Sequence, residues 1–151
     1  MSFISLVFAT FLIGAATSSR LSNQVYQKLE AFVDNGGQLA SSEAANVIIA
    51  TLQSFDISDT GFARDDFVPL NPFFVHYING IVKIYRKGLP LPQQIQAVRT
   101  FTNQMTRELE KWVAPVTSQM KITLGSVGIA IGKIITTKGI PPQVVFADNH
   151  I

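Results

Sequence analysis

The stretch "NPFFVHYINGIVKIYRKGLPLP", residues 71–92, constrains the fold more than any other part of this chain. Phe74, Tyr77, Ile78, Ile81, Ile84 and Tyr85 recur at the three-, four- and seven-residue spacing of one helical face. His76, Asn79, Lys83, Arg86 and Lys87 fall mostly on the opposite face. Asn71 is a natural N-cap and Pro72 a natural first residue, because its missing N–H would be unpaired there anyway. Basic residues close the last turn and Gly88 stops it, as the helix dipole and the left-handed C-terminal turn favour. A helix with so broad an apolar face must bury it against something.

The remaining chain supplies further helices of the same kind. Helix A is expected over Ser22–Asn35, with Val25, Leu29, Phe32 and Val33 on one face and Gly36 and Gly37 ending it. Helix B opens at Ser41 or Ser42, carries Glu43 in its first turn, and aligns Ala45, Ile48, Leu52 and Phe55. Residues 56–70 read as a polar connection, and residues 71–87 are helix C. Helix D starts at Pro92 and carries Ile95, Val98, Phe101, Thr102, Met105, Leu109, Trp112 and Val113 on one stripe, with Pro115 ending it. Gln119–Ile135 is ambiguous. Met120, Leu124, Val127, Ile131 and Ile134 fit a helix, whereas Val127, Ile129 and Ile131 alternate as in a strand. Its glycines weaken both readings, and the company of four helices makes a fifth the more consistent choice. The expected fold is all-α, a five-helix bundle whose stripes bury against one another.

Length and composition set the frame. At 151 residues the chain is one domain with room for a single core. Twelve basic and ten acidic residues give a net charge of +2, too diffuse for the basic stripe that nucleic acid requires. The absence of cysteine removes disulfides, thiol nucleophiles and thiolate metal sites. The opening "MSFISLVFATFLIGAATSS" holds an apolar run followed by Gly14, Ala15 and Ala16, the small residues a signal peptidase needs. It lacks the usual basic residue and is shorter than the roughly 20 residues of a membrane span. The domain plan is therefore a signal peptide at 1–16, a helical bundle at 17–139 and an irregular tail at 140–151, in a secreted, extracellular protein. Stable membrane insertion is not expected, because a bilayer-surface helix would carry more Lys and Arg on its polar face.

No catalytic motif is present, so no enzymatic activity, cofactor or metal is expected. HExxH and GxSxG are missing, and His76 stands without an orienting partner. Asp65 and Asp66 are adjacent and diverge by about 100 degrees in a helix, so they are not a carboxylate pair for glycoside chemistry. "GSVGIAIGKI" fails as a phosphate loop, since Lys133 is followed by Ile134 and the earlier glycine position holds Val127. Gly128 and Gly132 instead read as close helix packing. Lys83, Arg86 and Lys87 are explained by the helix C-terminus.

Taken in order, these elements resemble the N-terminal domain of spider silk proteins, the spidroins. "GGQLASSEAANVIIATLQSF" looks like that family's second helix and "FVPLNPFFVHYINGIVKIYRKGLPL" like its third. "IQAVRTFTNQM" is similar to the fourth and "TSQMKITLGSVGIAIG" to the fifth. The resemblance implies a non-enzymatic self-assembly domain that keeps a silk-like protein soluble and dimerises antiparallel as pH falls. It implies a homodimer, with other silk-like chains as further partners. Glu43 then stands near the family's helix-2 acid, and Arg64, Asp65 and Asp66 complete a dimer and pH-sensing surface. Asp66 falls where the family usually has a basic partner, Gly80 and Tyr85 at its helix-3 acids, and Thr123 at its helix-5 acid. A carboxylate brought close to another negative group on dimerising has its pKa raised, so such a dimer strengthens in acid.

Two other functions fit the same residues. In one, the chain is a small secreted carrier that encloses a hydrophobic ligand between helices C and D, lined by Phe73, Phe74, Tyr77, Phe101 and Trp112. In the other, the Gly-rich last element inserts into membranes.

Overall fold

A computed structural model describes residues 19–141. The expected signal peptide at 1–16 and the tail beyond Pro141 lie outside the described residues. The chain is helical throughout, with no strand among the described residues: α1 (19–34), α2 (Ser42–Gln53), α3 (Ile57–Thr60), a 3₁₀ turn (Arg64–Phe67), α4 (Asn71–Arg86), α5 (Leu91–Leu109) and α6 (Ser118–Lys138).

Local chemistry accounts for most boundaries. Ser41 caps α2, its hydroxyl accepting from the Ala44 amide at 3.1 Å. Asn71, expected as an N-cap, is instead the first residue of α4. Its amide donates to the Ser42 carbonyl at 3.0 Å and to the Asn46 side chain at 2.7 Å, pinning α2 to the start of α4. Thr117 caps α6 by accepting from the Met120 amide at 3.2 Å. Helix α5 begins at Leu91, one residue before the expected Pro92, and ends at Leu109.

Helix α4 is the centre of the packing, touching α2, α5 and α6. Phe73, Phe74, Tyr77, Ile78, Ile81, Val82 and Ile84 are all buried. Two of its contacts use glycine as a socket. The Phe101 ring of α5 lies against Gly80, where any side chain would collide with it. The Tyr77 hydroxyl oxygen lies where a methyl group on Gly128 of α6 would come within 2.5 Å, and Tyr85 meets Gly132 in the same way at 2.6 Å. These sockets decide the ambiguous last element: α6 is one helix of 21 residues. Contacts advance together along α4 and α6 and in reverse along α5, so α5 runs antiparallel to both.

Residues 56–70 are less polar in practice than in composition. Phe62, Phe67 and Leu70 are buried, and the Phe62 and Phe67 rings stack with centroids 4.8 Å apart. Gly61, at φ +80°, ends α3 by packing its backbone onto α6, where a Cβ would meet the Met120 amide nitrogen at 2.9 Å. Thr123 donates to the Thr60 carbonyl at 2.8 Å and Gln119 to the Asp59 carbonyl at 2.6 Å, so the segment is fastened to the start of α6. Helix α1 closes the bundle with Leu21, Val25 and Leu29. Lys138 of α6 binds Asp34 at 2.9 Å and Glu30 at 3.5 Å. These acids hold the Lys138 ammonium above its ordinary pKa, chiefly through the hydrogen bond to Asp34.

Helix α6 has the length and apolar composition of a membrane span, yet 61% of that window is buried inside the bundle. A core helix meets the same criteria.

Candidate functional site: the groove between α5 and α6

Helix α5 does not bury the stripe that its periodicity suggests. Met105 and Leu109 are covered, Val98 and Phe101 are half-covered, but Leu91 is 66% and Ile95 48% exposed. Trp112 lies beyond the end of the helix and is 44% exposed. The uncovered half of α5 faces α6 across an open groove of about 460 Å³. That volume falls within the roughly 300–1,000 Å³ of small-molecule sites.

On the α5 side the groove is lined by Leu91, Gln94, Ile95, Val98, Arg99, Thr102 and Asn103. On the α6 side it meets Gly125, Gly128, Ile129, Gly132, Lys133 and Thr136, and Tyr85 of α4 lies at its base. Three of the α6 positions that line it are glycine. Gly128 and Gly132 receive the tyrosine hydroxyls from below, and a side chain on Gly125 would meet nothing within 4 Å. Ile129, 61% exposed, forms part of its wall.

One end is closed by a polar clamp. The Tyr77 hydroxyl donates to the Leu124 carbonyl at 2.9 Å. Its single proton being spent, the Thr102 hydroxyl is the donor in the 2.9 Å contact with the Tyr77 oxygen. Burial pushes the Tyr77 phenol up to about 12, against a smaller opposing effect of the Thr102 hydrogen bond. The clamp joins α4, α5 and α6 through one atom.

Two cations and no acid line the groove. The Lys133 ammonium is drawn aside to the Tyr26 ring, 4.3 Å from its centroid, leaving its methylenes toward the groove. Arg99 and Asn103 are exposed, one turn apart on α5, and make no hydrogen bond or ion pair with the described residues.

The residues singled out from sequence are dispersed. Phe73, Phe74 and Tyr77 are core residues, whereas Trp112 is 44% exposed. Phe101 lines a cleft of about 270 Å³ between α4 and α5, shared with His76, Gln104, Met105, Arg107 and Glu108 and largely polar. The cleft between helices C and D (α4 and α5) is thus mostly polar, while the more apolar groove of about 460 Å³ lies between α5 and α6. Glu43 is exposed at the start of α2, whereas Arg64 sits at its far end, where Gln53 donates to the Arg64 carbonyl at 3.2 Å. Ten residues of helix, about 15 Å, separate Glu43 from Gln53. Asp65 is exposed, while the Asp66 carboxylate accepts from the Ala63 amide at 2.7 Å and stabilises the 3₁₀ turn. Gly80, Tyr85 and Thr123 have packing roles: Gly80 and Tyr85 in the sockets, Thr123 in a buried hydrogen bond. No group of three or more His, Cys, Asp or Glu residues suited to a metal occurs among the described residues.

Compared with known proteins, the chain matches no family model, no curated protein and no solved structure.

Proposed function

We propose that this chain is a secreted, non-enzymatic carrier, a bundle of five long helices released by cleavage after Ala16, that seats a hydrophobic ligand between α5 and α6. The groove is the observation that carries this reading. Exposed large aliphatic side chains gathered around one concavity mark an interaction site. No cofactor takes part. A titration with a neutral environment-sensitive dye such as Nile red tests it. Saturable uptake at one dye per chain, abolished by combined Ile95→Asp and Ile129→Asp, is expected. Absence of saturable uptake would sink the carrier.

A second reading has its own support. In it the chain is the extracellular self-assembly domain of a silk-like structural protein, soluble alone and forming a homodimer as pH falls. Ile122 and Ile129 flank the open Gly125 on one exposed strip of α6. A knob and a hole on the same strip suit the self-complementary contact of a two-fold dimer. Charge opposes it, because α6 carries Lys121, Lys133 and Lys138 and no acid, so pairing two copies along α6 gathers like charges. Light scattering across concentration, near neutral pH and in mild acid, separates the two. A monomer that dimerises on acidification favours the silk reading, and an unchanged monomer leaves the carrier.

A further inference from the structure

We propose that the ligand of the α5–α6 groove is a single-chain anionic amphiphile, a free long-chain carboxylate. Its head is held by Arg99 and Asn103, and its chain lies along Val98, Ile95 and Leu91. This rests on the carrier reading and adds the chemical class of ligand.

The polarity of α5 along its own axis supports the orientation. From Leu91 to Val98 the groove face is mainly aliphatic, and from Arg99 to Asn103 it is polar. Arg99 and Asn103 are four residues apart and so lie on the same face. Both offer N–H donors, and neither spends them on the described residues. The guanidinium fork matches the two oxygens of a carboxylate, and the Asn103 amide can add a third donor. Thr102, between them, has its hydroxyl committed to Tyr77. Lys133 has its ammonium over Tyr26, so Arg99 is the cation left to the groove.

Length and charge fit the same occupant. Leu91 and Arg99 are eight residues apart, about 12 Å along the helix, and Tyr85 lies against that aliphatic end. An extended acyl chain fills this channel while its head reaches Arg99. With no acid in the lining, nothing repels the head. A neutral apolar ligand would use only the aliphatic half and leave both donors idle. A second copy of the chain would bring lysines toward Arg99 and Lys133.

Displacement of a bound environment-sensitive dye from the full chain tests the proposal, with laurate compared against dodecanol and against phosphatidylglycerol vesicles. Laurate should bind at least tenfold more tightly than the alcohol, as a charge-assisted hydrogen bond implies. Arg99→Gln should remove that margin, weakening laurate far more than dodecanol, with thermal stability unchanged because Arg99 is exposed. Equal binding of acid and alcohol would overturn the head-group assignment while the carrier survived. Failure of both to bind would overturn the assignment and the carrier together. Binding to the vesicles without binding to free laurate would overturn the free-acid ligand in favour of a membrane surface.

Discussion

The Tyr77 hydroxyl occupies the space that any side chain on Gly128 would need, since a methyl group there would sit 2.5 Å from the phenolic oxygen. That oxygen is also held by Leu124 and Thr102, so it cannot retreat without breaking two hydrogen bonds. The pair sets how closely α4 and α6 approach.

The α6 glycines should respond differently to alanine. Gly125→Ala should raise stability by about 1 kcal/mol through helix propensity, because its Cβ meets nothing. Gly132→Ala should be nearly neutral, since the half-buried Tyr85 can swing outward and offset the gain. Gly128→Ala should destabilise by about 1–2 kcal/mol, overpacking exceeding the propensity gain. Thermal unfolding of the three variants checks the order, and equal effects would remove the Tyr77 contact as its cause.

Tyr77 should leave a signature in alkali. Its phenol ionises near 10 when unfolded and at about 12 when folded, so the folded state holds the proton more tightly. The stabilisation is complete below pH 10, falls as pH rises toward 12, and levels off above that. Its size is about 3 kcal/mol, at roughly 1.4 kcal/mol per pH unit. Tyr77→Phe should lower neutral stability by about 1–2 kcal/mol through the lost hydrogen bonds. It should also flatten the melting temperature of the variant relative to wild type between pH 10 and 12.

Helical spacing was a sufficient guide for α2 and α4, because their apolar faces are contiguous and covered except at the half-buried ends Phe55 and Tyr85. It failed for residues 56–70, where Phe62, Phe67 and Leu70 are separated by Arg64, two acids and Pro69 and follow no period. It misled for α5, since periodicity identifies an apolar face without saying whether a neighbour covers it. The neighbour here is α6, whose glycines leave space in place of side chains. The groove was illegible for that reason: its floor is made of residues with no chemical signature, and Arg99 and Asn103 belong to no motif.

The buried segment yields its own test. Phe67→Ala should cost about 3–5 kcal/mol, the range for removing a buried aromatic, although it lies in an apparent loop. Chemical denaturation measures this, and a loss below 1 kcal/mol would mean that residues 56–70 do not belong to the core.

Thr123→Val keeps the shape of the buried side chain and removes its donor to the Thr60 carbonyl. It should cost about 1–3 kcal/mol with no change in how the protein's mass depends on pH. A variant with altered pH dependence would return this position to a role in acid sensing.

Helix α5 hangs from its second half. Phe101, Thr102, Met105 and Leu109 fasten it, while Leu91 and Ile95 remain largely uncovered. Segments with few buried contacts open at low free-energy cost. Backbone amides over 95–98 should then trade hydrogen for deuterium well before those of α4, and the first turns of α5 act as a hinged wall that reports, through its exchange rate, whether the groove is filled.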